Sequence, residues 1–559
     1  MSPRLHPLRA AALALVLSVP VLAQSSAVRV PMDVPVSHAD LPAFNEQDLR
    51  EWLTFLSSDT LQGREVFTEG YGMAASYVAD HLRSWGLTPL GDDGTYFQVV
   101  KERTYQVTRH SSVTIEANGR SRTFADGDHV TFPVRAGSRR TLTFTGVDFV
   151  SPDVPPAAGA TADASPTSTT AGSRLLVYLP GARFGVPRED SPDEGDEGPG
   201  VTATIRFVPA PPGGEGATNR QPAVTTTRLT TVRRVDGAIT PQLSGDETFY
   251  EALLAGAPRS LDDLRDEARR GRPPAPFTLR NVTVTIHVDN TYDVVSTRLT
   301  ENVVGLVPGR DPKLRDTYVF FGAHLDHVGY RQAGPVEQQA DCRPAPPGDL
   351  IFNGADDDGS GTTALMAMAK ALAEGPKPKR SVVFIWHAGE EAGLLGSRYM
   401  ADFPVVPLDH VQAELNIDMI GRNRDDDPSQ ANTVYVIGAD RISTDLHNLL
   451  VETNRRADRP LTLDYEFNDP ADPNSFYTRS DHYSYASKGI PIAFFFTGEH
   501  PDYHANTDSV EKILFPKLVR IAQFIYQSGF DIANSDRTLE RDNRGPRAGK
   551  GFAGGPLGT

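Results

Sequence analysis

Two adjacent carboxylates, Glu390 and Glu391, follow the apolar run in "VVFIWHAGEEAGLLGS" (residues 382–397). Paired glutamates at a strand end are often only a solvated loop. They also suit chemistry in which one carboxylate holds a metal ion while its neighbour moves a proton. Four further stretches carry residues of the same kind: "VFFGAHLDH" with His324 and Asp326, "NGADDDGSG" with Asp356, Asp357 and Asp358, "LNIDMIGRN" with Asp418, and "PDYHANTDSV" with His504.

Each stretch also has a plainer reading. His324 and Asp326, two apart on an extended chain, point to one side, so the Asp326 carboxylate can accept from one imidazole nitrogen and leave the other for a metal. An H-x-D pair is also a common surface pair. His327 points the other way in that geometry and is left to a supporting or structural role. One of the three aspartates can cap the helix that follows. Three are more than a cap needs, and at ~4 Å and an effective dielectric of ~20 each close pair costs roughly 4 kcal/mol, which a cation would remove. Asp418 breaks an otherwise apolar strand, where a lone charge is expensive; a salt bridge to Arg422 is the alternative to a metal. His504, taken alone, reads as an incidental loop histidine.

Together the stretches narrow the choice. Five strand ends carry two histidines, several acids and no thiolate. This donor set favours zinc, with cobalt or manganese as substitutes. The number of acids fits two ions sharing a carboxylate, about 3.5–4 Å apart, with a bridging hydroxide as nucleophile. Glu391 then binds metal, and Glu390 takes the proton of the bridging water and passes it to a leaving amine.

These residues need a scaffold. From about Val294 strongly apolar strands ("TYVFFGAH", "SVVFIWH", "IPIAFFF") alternate with helical stretches such as "GTTALMAMAKALAEG" and "LFPKLVRIAQFIYQSGF". That alternation predicts an α/β fold with a mostly parallel, doubly wound sheet and ligands beyond the carboxyl ends of its strands. Upstream, "FNEQDLREWLTFL" and "YGMAASYVADHLRSWGL" read as helices. From about Tyr105 short strands alternate with Pro-, Gly- and acid-rich segments expected to be loops or disordered insertions. The 559 residues therefore divide into an export signal (1–23), an N-terminal helical part (24–104), a β-rich insertion (105–293), the main α/β unit (294–534) and a flexible tail (535–559).

The signal assignment rests on a basic lead, an apolar core and the cleavage pattern Val21-Leu22-Ala23. It predicts a periplasmic or extracellular protein. A net charge of -17 argues against nucleic acid or an anionic membrane as partner, and beyond the leader no apolar run is long enough to span a bilayer. The single cysteine, Cys342, allows no internal disulfide.

The motifs "GAHLDHVG", "NGADDDGSG", "HAGEEAGLLGS", "LNIDMIG", "SDHYSY" and "YHANTDSVEKI", in this order, resemble the zinc-dependent aminopeptidases often called family M28, over roughly Asn302 to Phe530. "LSSDTLQGRE" resembles the N-terminal lead of exported bacterial members. The resemblance implies a zinc-exopeptidase fold with two zinc ions. Asp357 bridges them, one taking His324 and Asp418 and the other Glu391 and His504. It makes Glu390 the general base, Asp326 the residue orienting His324, and Tyr503 or Tyr477 the stabiliser of the oxyanion. The β-rich insertion is implied to be a protease-associated domain over the site.

Three features depart from the family pattern. The insertion matches poorly, "YRQAGPVEQQADCRPAPPGDLIF" forms a long candidate lid with Cys342 near the cleft, and the disulfide of some small relatives is absent. The expected activity is release of N-terminal residues from peptides. Relatives that are carboxypeptidases or dipeptidases supply an alternative, and Arg422, Arg424 and Arg479 are candidate contacts for a carboxypeptidase substrate's carboxylate. Related glutaminyl cyclases typically work with one zinc, against which the five-ligand set argues. A non-catalytic binding scaffold would lack a ligand or the base, and this chain has all of them.

Overall fold

The computed structural model describes residues 44–107, 110–132, 139–150, 174–178, 201–208, 226–229, 242–270, 275–289, 292–330 and 349–542. The expected export signal, most of the Pro- and acid-rich stretches, the 331–348 segment with Cys342, and residues 543–559 lie outside these.

The main sheet runs, in spatial order, Thr462–Asp464, Thr433–Ile437, Ile492–Phe496, Val411–Ile417, Tyr318–His324, Ser381–His387, Tyr292–Val307, Phe97–Val107 and Thr226–Leu229, with Thr88–Pro89 pairing to one side. The four central strands, from Ile492–Phe496 to Ser381–His387, are parallel, whereas both flanks contain antiparallel pairs. The sheet is thus mixed, with the expected parallel arrangement at its centre. The reason lies in burial. Ser381–His387 and Val411–Ile417 are buried along their whole length, as strands covered on both faces must be. Successive residues feed two cores. Phe321, Phe384, Trp386 and Phe495 pack beneath the helices Glu46–Leu56, Gly359–Glu374 and Phe515–Asn534, and Phe320, Val383, Ile385 and Phe494 beneath Leu395–Asp402 and His482–Ala486.

The β-rich region forms a second, eight-stranded sheet with its own core around Phe124, Phe144, Phe149, Phe249 and Tyr250. A bridge between Asp126 and Val130 nearly closes it on itself. The strands Phe97–Val107 and Tyr292–Val307 cross the expected domain boundaries and pair antiparallel, from Phe97 with Val303 to Val107 with Tyr292. Residues 535–542, placed in the tail by composition, lie against the main unit. Leu539 packs on the core and Arg541 donates to the Val411 carbonyl.

Candidate metal centre

The carboxyl ends of the four central strands deliver the predicted residues to one cleft. His324 ends its strand, Asp418 directly follows Ile417, Glu390 and Glu391 follow His387 by a short turn, and His504 lies on the loop after Phe496. The three aspartates separate by role. Asp358 is the helix cap: Oδ1 accepts from the amides of Gly361 (2.9 Å) and Met419 (3.1 Å), and Oδ2 from that of His324 (3.2 Å). Asp356 accepts from the Gly421 amide (2.6 Å) and faces His500 Nε2 at 3.3 Å. Asp357 alone reaches across the site, with Oδ1 3.2 Å from His324 Nε2 and Oδ2 3.1 Å from His504 Nε2. The Asp508 carboxylate holds this turn by accepting from the amides of Asp356 and Asp357.

Around Asp357 the donors fall into two groups. His324 Nε2 is 3.6 Å from Asp418 Oδ1, and His504 Nε2 is 3.2 Å from Glu391 Oε2. Asp358 also lies within reach of the first group, but its oxygens are occupied by three amides, which leaves Asp357 as the shared carboxylate. His324 Nε2 and Asp357 Oδ2 have no hydrogen bond although both are shut off from solvent. Burial would lower the pKa of His504, yet Glu391 and Asp357 push it up to about 12. A buried set of nitrogen and oxygen donors that demands positive charge this strongly fits two divalent cations.

Several residues depart from the sequence expectation. The Asp326 carboxylate does not orient His324. His324 Nδ1 faces the Asp326 main-chain carbonyl at 3.1 Å, while the carboxylate accepts from the amides of Glu390 (3.0 Å) and Glu391 (3.3 Å). Two amide donors at the glutamate turn outweigh one imidazole 3.8 Å away, so Asp326 aims the Glu390–Glu391 turn instead. His327 does not point away. The strand ends at His324, so alternation no longer governs, and His327 Nδ1 lies 2.9 Å from Glu391 Oε1. Tyr477 is buried beneath the Arg441 guanidinium, 3.8 Å from its ring centroid, and is not among the residues that line the cleft. Tyr503 lines the cleft and stacks on His504 with ring centroids 4.0 Å apart. Arg422 pairs with Asp426 and Asp502 rather than with Asp418, whose Oδ2 accepts instead from Ser480 Oγ (2.7 Å). Ser480 stands in the "SDHYSY" motif, and its position there was the only sequence signal for it.

Glu390 lines the cleft with its carboxyl held well above the usual range, by burial first and then by Glu391 and Asp418, with His324 opposing. The remaining wall is apolar, made by Met419, Phe476, Phe494 and Phe496, with Arg479 and Glu499 also lining it.

Residues 302–528 match the model of peptidase family M28. This match covers part of the α/β domain that carries the cleft. Among curated proteins, that domain is similar to leucine aminopeptidase 2 of Trichophyton equinum (31% identity over 218 residues, 38% of this chain and 37% of the relative). It is also similar to leucine aminopeptidase 1 of Ajellomyces dermatitidis (28% over 249 residues, 42% of this chain and 57% of the relative). The chain thus spans between about a third and somewhat over half of these relatives. Similar solved structures include an aminopeptidase from Aneurinibacillus sp. strain AM-1 (TM-score 0.43, 17% identity, covering 91% of this chain and 97% of that one). Another is a zinc aminopeptidase from Bacillus subtilis (TM-score 0.40, 18% identity, covering 91% and 98%).

Proposed function

We propose that the chain is an exported zinc-dependent aminopeptidase that removes N-terminal residues from peptides, acting in the periplasm or outside the cell. The observation that carries this reading is Asp357 set between two histidines, one carboxylate oxygen toward each, with Glu390 beside it. His324, Asp418 and Asp357 would hold one zinc ion, and Glu391, His504 and Asp357 the other, with cobalt or manganese as substitutes. When bound, the pair supplies Lewis acidity and lowers the pKa of water.

The remaining steps belong to the protein. The Glu390 carboxylate takes the proton of the attacking water and returns it to the leaving amine nitrogen. Arg479 Nη2 lies 3.2 Å from the Tyr503 hydroxyl oxygen, and because a guanidinium only donates, Tyr503 keeps its own proton to offer to the scissile carbonyl oxygen. Met419, Phe476, Phe494 and Phe496 give an apolar side chain a place to lie. This agrees with the leucine aminopeptidase names of the relatives.

A carboxypeptidase would need a basic group free to meet the substrate carboxylate. Arg422 is engaged by Asp426 and Asp502, Arg424 by Glu466, and Arg479 by Glu499 and Tyr503. The test uses the chain from Gln24 with its metal content measured. Hydrolysis of aminoacyl anilides is compared with that of N-acetylated and C-terminally blocked peptides. A requirement for a free amino terminus and about two zinc ions per chain support the reading. A requirement for a free carboxylate overturns it.

A further inference from the structure

Among the described residues Arg64 is one of the largest fully buried side chains, 1% exposed, and its guanidinium pairs with none of their carboxylates. It donates instead to four main-chain carbonyls: Nε to Leu325 (2.9 Å), Nη1 to Leu56 (2.5 Å) and Asn353 (2.7 Å), and Nη2 to Gly354 (2.9 Å). Its own carbonyl accepts from the amide of His327 (3.3 Å).

The partners are not scattered. Leu325 lies between His324 and Asp326, and Asn353 and Gly354 lead into Asp356 and Asp357, so one side chain ties together the loops carrying a terminal ligand and the shared carboxylate. The backbone is shaped to bring it there. Gly63, at φ +73°, sits so close that a Cβ would stand 2.5 Å from the Phe352 carbonyl oxygen and 2.6 Å from that of Gly329. The positive charge lies within electrostatic reach of Asp326, Asp357, Asp358 and Asp508. It therefore offsets their repulsion while leaving every oxygen of Asp357 to the site.

We infer that Arg64 is a positioning residue of the metal centre, fixing the His324 loop against the Asp357 loop at the separation that two metal ions need. This rests on the metal-binding reading of the site. A structural arginine would serve equally well anywhere in a core; Arg64 joins the two segments whose spacing sets metal geometry, and does so without using a ligand. Lysine cannot replace it, because one ammonium cannot reach four carbonyls arranged around a planar fork.

The experiment compares the full chain with Arg64→Lys and with Arg456→Ala. Arg456→Ala is a control that removes the cationic partner of the buried Asp531, which keeps Thr453 and Gln527 as donors. Zinc affinity is read by competition with a chromophoric chelator, site geometry by the Co2+ d–d spectrum, and stability as the Tm of metal-free and metal-loaded protein. Arg64→Lys is expected to lower zinc affinity about 10- to 100-fold, alter the Co2+ bands and shrink the rise in Tm on loading. Arg456→Ala is expected to lower both Tm values alike and leave affinity unchanged. Wild-type affinity and spectrum in Arg64→Lys, with equal Tm losses in both forms, would overturn the inference. Should Arg64→Lys not fold, Asn353→Ala loosens the same loop through its contacts with Ser57 and Asp59. A smaller drop in affinity supports the inference, and no drop overturns it. A wild type that takes up no divalent ion overturns the metal reading first and is distinguished by that result alone.

Discussion

At the scale of single residues the centre divides its labour between groups that touch and groups that aim. Glu390 has a position on the cleft and a carboxyl raised by burial, but no place among the candidate metal donors. Glu390→Gln should therefore keep its full metal content while kcat falls about 10²–10⁴-fold, read by metal analysis beside anilide hydrolysis. The two tyrosines separate cleanly. Tyr503→Phe removes the proton offered to the carbonyl oxygen and should lower kcat about 10²-fold, whereas Tyr477→Phe should leave kcat unchanged because its ring lies under Arg441, outside the cleft. The convergence of these carboxylates and histidines was legible in the sequence because such residues at apolar strand ends have few inexpensive explanations. The supporting contacts were not. His327 and Asp326 follow the end of the strand, where side-chain alternation ceases to predict direction, and Ser480 reaches Asp418 only through the fold.

At the scale of elements, the helix Gly359–Glu374 begins in the site, and its cap is also the knot joining three loops. A Cβ on Gly361 would stand 2.4 Å from Asp358 Oδ1 and 2.7 Å from the Ile417 carbonyl. Gly361→Ala, favourable for a helix in general, should instead lower both Tm and metal affinity, measured by thermal melts and chelator competition. The short helix His482–Ala486 carries a different signature. His482 is fully buried against Phe494, bonds the Tyr477 carbonyl at 2.8 Å, and is held neutral by burial with its pKa at about 3 instead of 6.5. Between these values the unfolded chain takes up a proton that the folded chain refuses. Stability therefore falls as pH drops from 6.5 toward 3, by about 2 kcal/mol at pH 5. His482→Gln, which retains a donor for Tyr477, should flatten that part of the stability–pH curve in denaturant titrations. The central strands were legible at this scale because burial on both faces leaves unbroken apolar runs. The antiparallel flanks were not, since direction depends on connections that local composition does not encode.

At the scale of the whole molecule, two cores hold the main α/β unit and a third holds the β-rich unit. Metal removal should act on one of these and spare the other. With metal at about 1,000 times its Kd, loading should stabilise the main α/β unit by about 4 kcal/mol. Calorimetry with a chelator should thus lower one melting transition and leave the β-rich transition in place. The same division has a consequence for evolution and engineering. Among the described residues, the cleft is lined entirely from between Asp357 and His504, and the β-rich unit leaves and rejoins the sheet along Phe97–Val107 and Tyr292–Val307, which are paired with each other. That paired neck is an interrupted hairpin. Thr104 stands opposite Ser296, so an Asn-Gly turn spliced between them would restore an ordinary two-strand reversal and remove the unit together with the edge strand Thr226–Leu229, which pairs with residues 103–106 of the neck. The resulting miniature should still cleave an anilide. Whatever it loses on longer chains would measure what the excised module contributed as a selector of substrate length.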